Sequence, residues 1–315
     1  MPQLRLKTVT RTQGANRALK DGSVTPRSAT LELEEVPVLV QAFRRMVRQL
    51  EYDVCEMALT TYLCAKSFGV AFTALPVFLV RGLHHGAIVT HPGAGVQRPE
   101  DLHGRTVGVN RGYTVTTGVW ARAILAAEHG VDLDAITWAP SGDEHVAQYR
   151  APANVVPLAP GADLGELLVG GELAAVVGAD LDRAGVVPLI PEPHKAALEA
   201  LTGRGFYPIN HLVVVRDELL DAHPELAADL FQAFAAAKQR YLEQLPHLAP
   251  ADRTATDRLL GEVWSVTGSD PLPYGIEPNR AVLEELIDHA VHQKILDRRV
   301  GLTELFAAGT EELVG

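Results

Sequence analysis

Cysteine is scarce: Cys55 and Cys64 are the only two in 315 residues. One pair of thiols cannot staple a disulfide scaffold, and two buried thiols in a reducing compartment are the expectation. Long apolar runs are missing too. Nothing approaches the roughly eighteen consecutive apolar residues that a membrane-crossing helix needs, so no span is expected. The opening residues, MPQLRLKTVTRTQ, hold no apolar signal-like stretch, no small-residue cleavage site and no cysteine behind a short leader. Cytoplasm is the expected location. Positive charge is in deficit, with 28 Lys and Arg against 39 Asp and Glu, a formal −11. That balance argues against nucleic acid and against an anionic membrane as partners. It is compatible with a small anion, because a few arginines can dominate one cleft. Phosphate-cradling loops are absent as well: GVNRGY lacks the G-x-G-x-x-G spacing, so no nucleotide cofactor is expected.

What is there reads as alternating strand and helix. A chain of this length can bury two cores, so two lobes are expected. Strands are expected over 4–9, 30–36, 52–57 and 72–80. Helices are expected from Pro37, from a cap at Thr60 or Thr61 through Phe68, over 224–242, and after a cap at Asn279. The alternation predicts α/β architecture with mostly parallel, helix-covered sheets. From about residue 92 a second αβ lobe begins. The division is 1–91 with 206–315 as a discontinuous first lobe and 92–205 as an inserted second one. Such a path predicts a ligand cleft between lobes.

The stretch TVGVNRGYTVTTGVWARA, 106–123, is the most chemically pointed. A short apolar strand runs into a turn at Asn110, Arg111, Gly112 and Tyr113, and then into a helix start bearing Thr114, Thr116 and Thr117. Free N–H groups at such a helix N-terminus suit an anion, here a carboxylate. An ordinary βα turn with a threonine cap explains the same residues.

The chain resembles the 4,5-dihydroxyphthalate decarboxylase family, which has the type 2 periplasmic-binding-protein fold. The resemblance is carried by ALKDGSV (18–24), YDVCEMALTTYL (52–63), ALPVFLVR (74–81), RPEDLHGRTVGV (98–109), VVVRDELLDAHPELAADLFQAF (213–234) and PYGIEPNRAVLEEL (273–286). It implies a two-lobed fold with a cleft between lobes and a cofactor-independent carboxy-lyase acting on a hydroxylated aromatic carboxylate. There are departures. The family usually has an acidic residue and a glutamine in the turn after VGV. Here that turn is one residue longer, and Gly178-Ala179-Asp180 stands where an arginine is common. The resemblance implies that Asp180 and the turn face the ligand, and that the substrate can differ from 4,5-dihydroxyphthalate.

Removing CO2 from an aromatic ring needs an acid aimed at the ring carbon, a holder for a second carboxylate, and a group managing the hydroxyl. Arg81 ends a strand, and its planar fork matches a carboxylate; a surface arginine at a strand end is the plainer alternative. His84 and His85 follow, and imidazole titrates near working pH, so one of them is a candidate general acid. The resemblance aligns His85 better and leaves His84 beside the substrate; two solvated loop histidines are the alternative. Glu56 lies mid-strand among apolar residues, where a carboxylate is costly unless paired or lining a cleft. It would accept from the ring hydroxyl or orient a histidine. His211, in INHLVVV, is a cleft residue by the resemblance and a satisfied core histidine without it. Glu56, His84, His85 and His211 match no metal spacing, so no metal is expected. A non-catalytic binding protein for a small organic anion, and another lyase on the same scaffold, stay open beside the decarboxylase. Self-association is left open too.

Overall fold

The computed structural model describes residues 4–315, which divide into two compact units. One comprises Met1–Arg81, Ile209–Glu284 and Val300–Gly315; the other comprises Gly82–Pro208 and Glu285–Arg299. The sequence reading drew the inserted lobe at 92–205. The second unit also takes in 82–91, 206–208 and the late stretch 285–299.

The chain begins the first unit with β1 (Leu4–Val9), a helical turn α1 (Arg17–Lys20), β2 (Ala29–Glu34), α2 (Leu39–Gln49), β3 (Val54–Ala58), α3 (Leu59–Ser67) and β4 (Phe72–Arg81). It then builds the second unit through β5 (Ile88–Thr90), β6 (Thr106–Val109), α4 (Thr116–His129), β7 (Thr137–Pro140), α5 (Leu164–Val169), β8 (Ala175–Val177), β9 (Val187–Pro188) and α6 (Pro193–Arg204). It returns with β10 (Ile209–Arg216), α7 (Asp217–Ala222), α8 (Leu226–Gln244), α9 (Ala255–Thr267), α10 (Arg280–His292) and α11 (Leu302–Leu305). The boundary between the units falls inside α10.

The first sheet has the order β2-β1-β3-β10-β4. β1 is parallel to β2 and β3, whereas β10 is antiparallel to both β3 and β4. The second has the order β7-β6-β8-β5-β9, with β5 antiparallel to its neighbours. Each sheet is therefore mixed, with four strands in one direction: the first strand the chain enters after each crossing, β5 or β10, runs against the other four. Mid-sheet strands are buried on both faces, which is why β3 reads VCEMA with every residue buried. On α8, Leu226, Leu230, Phe231 and Phe234 recur at helical spacing and are buried. In the second unit Val89, Ala139, Leu164, Leu168, Leu173 and Val176 form a packed core.

Three expected helix starts differ. Pro37 precedes α2 instead of opening it, because Val38 is the extended residue at its N-cap. Thr60 and Thr61 are buried inside α3, whose N-cap is Ala58. Asn279 closes a short 3-10 turn before α10 and directs its amide to the Pro273 and Gly275 carbonyls, at 3.0 and 2.7 Å. For Thr60, Thr61 and Asn279 the expected cap residue is buried and used elsewhere in the fold.

Candidate functional site

In the first unit the register of β10 on β3 sets His211 opposite Ala58 and Val213 opposite Glu56. His211 and Glu56 are thus diagonal neighbours on one sheet face, close enough for long side chains to meet. They do: His211 Nδ1 lies 2.7 Å from Glu56 Oε1. Glu56 Oε2 accepts the Arg11 backbone N–H at 2.8 Å, so both oxygens of this fully buried carboxylate are engaged. That satisfies the requirement that a buried carboxylate be paired. The His211 ring meets Phe43 edge-on with centroids 5.1 Å apart, which fixes its plane. Its side chain keeps 16% exposure. With Nδ1 on the carboxylate, Nε2 is the nitrogen left for an outside partner. The pairing of β10 with β4 is irregular on both sides of His211. Bulges of this kind collect beside active sites, where they re-aim a side chain.

Arg81 stands at the end of β4, opposite Ile209. Its guanidinium donates to Asn279 Oδ1 and, at 3.3 Å, to the Pro273 carbonyl, so it ties the 273–279 loop to the strand. Sequence reasoning missed Tyr274 in that loop, although it quoted the motif. The Tyr274 side chain is fully buried and its hydroxyl has no hydrogen-bond partner. Burial pushes the phenol up strongly, with Asp270 and Glu56 adding to the effect and Arg81 opposing it. Lys238, also buried, bonds Asp270 and the Leu272 carbonyl, and sits 4.9 Å over the Tyr274 ring. The only signal for these groups was a polar atom inside an otherwise apolar pattern.

In the second unit His84 and His85 are both buried instead of solvated on a loop. His85 Nε2 lies 2.8 Å from Glu128 Oε2, and its Nδ1 is buried with no partner. Arg204 donates to Glu128 at 2.6 Å and to Glu285 at 3.0 Å, and its guanidinium stacks on Phe206 at 4.1 Å. Burial alone would raise the Glu128 carboxyl, but His85 and Arg204 together hold it below its ordinary range. His85 is 1% exposed and meets Phe206 edge-on at 6.2 Å. It is a walled-in imidazole locked into a charge network, unlike the partly open His211.

The 110–117 turn forms much as the sequence suggested, but it already holds a carboxylate. Glu144 accepts the Tyr113 N–H at 2.5 Å, the Thr114 N–H at 3.2 Å and the Thr114 hydroxyl at 2.5 Å. Gly112 is required here: a Cβ on it would lie 2.7 Å from Glu144 Oε2. Arg111 is exposed, with a left-handed φ of 68°. Thr116 is buried and Thr117 half-buried, both in the first turn of α4. Asn110 fastens the turn to the end of β8 by donating to the Gly178 carbonyl at 2.8 Å, and Asp180 is exposed two residues beyond. Beneath the turn lies Arg122, fully buried. It donates to the Tyr113 carbonyl at 2.6 Å and to Gln293 at 2.7 Å, and stacks 3.9 Å from the Tyr113 ring. Its Nη1 has no partner. Glu144 and Arg122 were both invisible as site residues: one sits in a polar stretch, the other looks like a surface charge on a helix.

Among the described residues no three His, Cys, Asp or Glu side chains gather as a metal-ligand group. Cys55 and Cys64 are buried and unbridged. No helix among them is long and apolar enough to cross a membrane.

Comparison with known proteins gives two kinds of likeness. A 4,5-dihydroxyphthalate decarboxylase from Comamonas testosteroni is 30% identical over 284 residues, covering 84% of this chain and 85% of the relative. A 4,5-dihydroxyphthalate decarboxylase from Pseudomonas putida is 34% identical over 146 residues, 44% of this chain and 56% of the relative. Among solved structures, the periplasmic aliphatic sulphonate binding protein SsuA from Escherichia coli matches with a TM-score of 0.56 at 11% identity. That match covers 99% of this chain and 94% of SsuA, and it bears on the fold alone. No protein-family model matches the chain.

Proposed function

The chain belongs to the 4,5-dihydroxyphthalate decarboxylase family, and on that premise we propose that it is a carboxy-lyase removing CO2 from a hydroxylated aromatic carboxylate, a 4,5-dihydroxyphthalate-like diacid. Loss of CO2 leaves the electron pair of the broken C–C bond on the ring, so a proton must reach the carbon that bore the carboxylate. A ring hydroxyl ortho or para to that carbon supports the cation formed by protonation. The C–C bond then breaks, its pair restores the aromatic ring, and CO2 departs.

The observation that carries the assignment of the acid is the His211–Glu56 pair at 2.7 Å. A carboxylate on Nδ1 fixes the ring and leaves Nε2 as the nitrogen for the substrate, the arrangement a proton donor needs. His211 gives the Nε2 proton to the ring carbon and regains it from water. Glu56 orients the ring of His211, with each of its oxygens already taking one hydrogen bond. His85 and His84, enclosed in the second unit, are positioning residues in this reading, and Arg81 orders the 273–279 loop. The 112–117 turn, including Thr114, Thr116 and Thr117 and backed by the Arg122 charge, holds a substrate carboxylate. Arg111 and Asp180 border it and bear on selectivity. The two unbridged thiols support a reducing compartment, the cytoplasm.

The test is incubation with a panel of hydroxylated aromatic diacids, read by mass spectrometry for loss of CO2. Decarboxylation of at least one member is the expected outcome. Recovery of every member intact overturns the reading.

A further inference from the structure

We propose that Glu144 is an internal ligand of the 112–117 turn: its carboxylate occupies the subsite of a substrate carboxylate and must leave for that carboxylate to bind. The inference rests on the reading of the turn as part of the substrate site, and names what controls access to it.

The turn is built for a carboxylate in every particular. Two backbone N–H groups and one hydroxyl converge on Glu144 from Tyr113 and Thr114. Gly112 leaves the space in which the carboxylate sits. Arg122 supplies positive charge from below, with Nη1 buried beside the first turn of α4 and unpartnered. A fully buried guanidinium with no carboxylate bonded to it is costly, so an anion close by is favoured.

The donors and the occupant sit on different kinds of chain, and the backbone just before Glu144 is bonded at Ser141 and Gly142 to Val109 and Arg111. Tyr113 and Thr114 lead directly into α4, and Arg122 is on it. Glu144 lies in residues 141–163, between β7 and α5, a stretch with no helix or strand. Three of the bonds that hold its carboxylate, from Tyr113 N–H, Thr114 N–H and the Thr114 hydroxyl, are ones another carboxylate can accept. Exchange replaces like with like, so it is close to balanced and responds to ligand concentration. The occupant lowers apparent affinity in proportion to the time it spends in the subsite. Glu144 is thus a specificity-determining residue: anions that cannot reproduce its hydrogen bonds do not displace it.

The probe is benzene-1,2-dicarboxylate, which lacks the hydroxyl needed for turnover, titrated calorimetrically into the full chain. Glu144→Gln keeps the side-chain shape while removing the charge, and Glu144→Ala vacates the subsite. Each is expected to bind the probe about tenfold more tightly than the parent, the size of one charge-assisted contact regained. The neutral diamide of the probe should bind all three proteins alike. Unchanged, weaker or absent probe binding in a folded Glu144→Gln protein overturns the inference and makes Glu144 a structural clamp. Hydrogen exchange on the parent chain gives an answer that needs no variant. Saturating probe should speed exchange in 141–163 while the Tyr113 and Thr114 amides stay protected; no change there counts against displacement. Calorimetry does not depend on turnover, so failure to release CO2 from any diacid would sink the decarboxylase reading without deciding this one.

Discussion

At the scale of single residues the two carboxylate-paired histidines make opposite predictions. His211→Ala removes the open nitrogen and should cut the rate of CO2 release by about a hundredfold or more with little change in KM. Glu56→Gln leaves His211 without its charged partner, and a loss of roughly tenfold or more in kcat is expected. His85→Ala should instead lower the thermal midpoint while costing less than about tenfold in kcat, because it strips a partner from the partly exposed Glu128 carboxylate and leaves a gap where a buried ring stood. Steady-state kinetics with thermal melts on the same preparations separates the two; a kcat loss in His85→Ala matching that of His211→Ala would return His85 to the chemistry. Much of this was legible in advance. A carboxylate between Cys55 and Met57 in an apolar strand had to be paired or functional. Its partner was not legible, because the pair spans 155 positions and depends on the register of two antiparallel strands. Arg81 was read from its fork geometry as a substrate clamp. Its bonds to Asn279 and Pro273 depend on how the 273–279 loop folds back, which no local pattern encodes.

At the scale of elements, α10 carries the clearest burden. Beyond its C-terminus, Gln293 is buried, accepts from Arg122 and donates to the Val119 carbonyl at 3.0 Å. Gln293→Leu would leave a buried guanidinium short of another acceptor, with an expected destabilisation of about 1–3 kcal/mol. Chemical denaturation of the variant against the parent measures it, and a loss under about 0.5 kcal/mol would show that Arg122 is satisfied in some other way. Strand and helix identities were mostly readable from periodicity, as in α8 and β3. Orientation was not: the antiparallel runs of β5 and β10 follow from where the chain changes units, and apolar alternation looks the same in either direction. The 110–117 turn shows a similar division. Its strand, glycine and threonines announced a place for a carboxylate, but the occupant lies 30 positions away from Thr114 in an irregular stretch.

At the scale of the whole molecule, carboxylates held low in both units set the response to acid. Glu128 and Glu285 sit below their ordinary 4.5, since their arginine and histidine partners outweigh the upward push of burial. Asp229 and Asp257 sit below their ordinary 3.8, where hydrogen bonds from Ser28, and from Tyr241 and Thr254, outweigh the same push. A carboxyl whose folded value is depressed contributes stability in full above its unfolded value, and that contribution disappears as pH falls through the folded value. The thermal midpoint should therefore fall from about pH 4.5 downward, and Glu128→Gln should flatten the upper part of that fall. An acid profile identical in parent and variant would remove Glu128 from the account. The division into two units was readable from chain length and from the change of character near residue 90; the return of 285–299 to the second unit was not, because the apolar spacing of α10 runs past residue 284 without a break. That return has a consequence for biosynthesis. Arg122 and Arg204 wait for Gln293 and Glu285, which leave the ribosome more than a hundred and fifty and eighty residues later, respectively. The second unit must remain unfinished until residues 285–299 have emerged, a long interval during which a chaperone has something to hold.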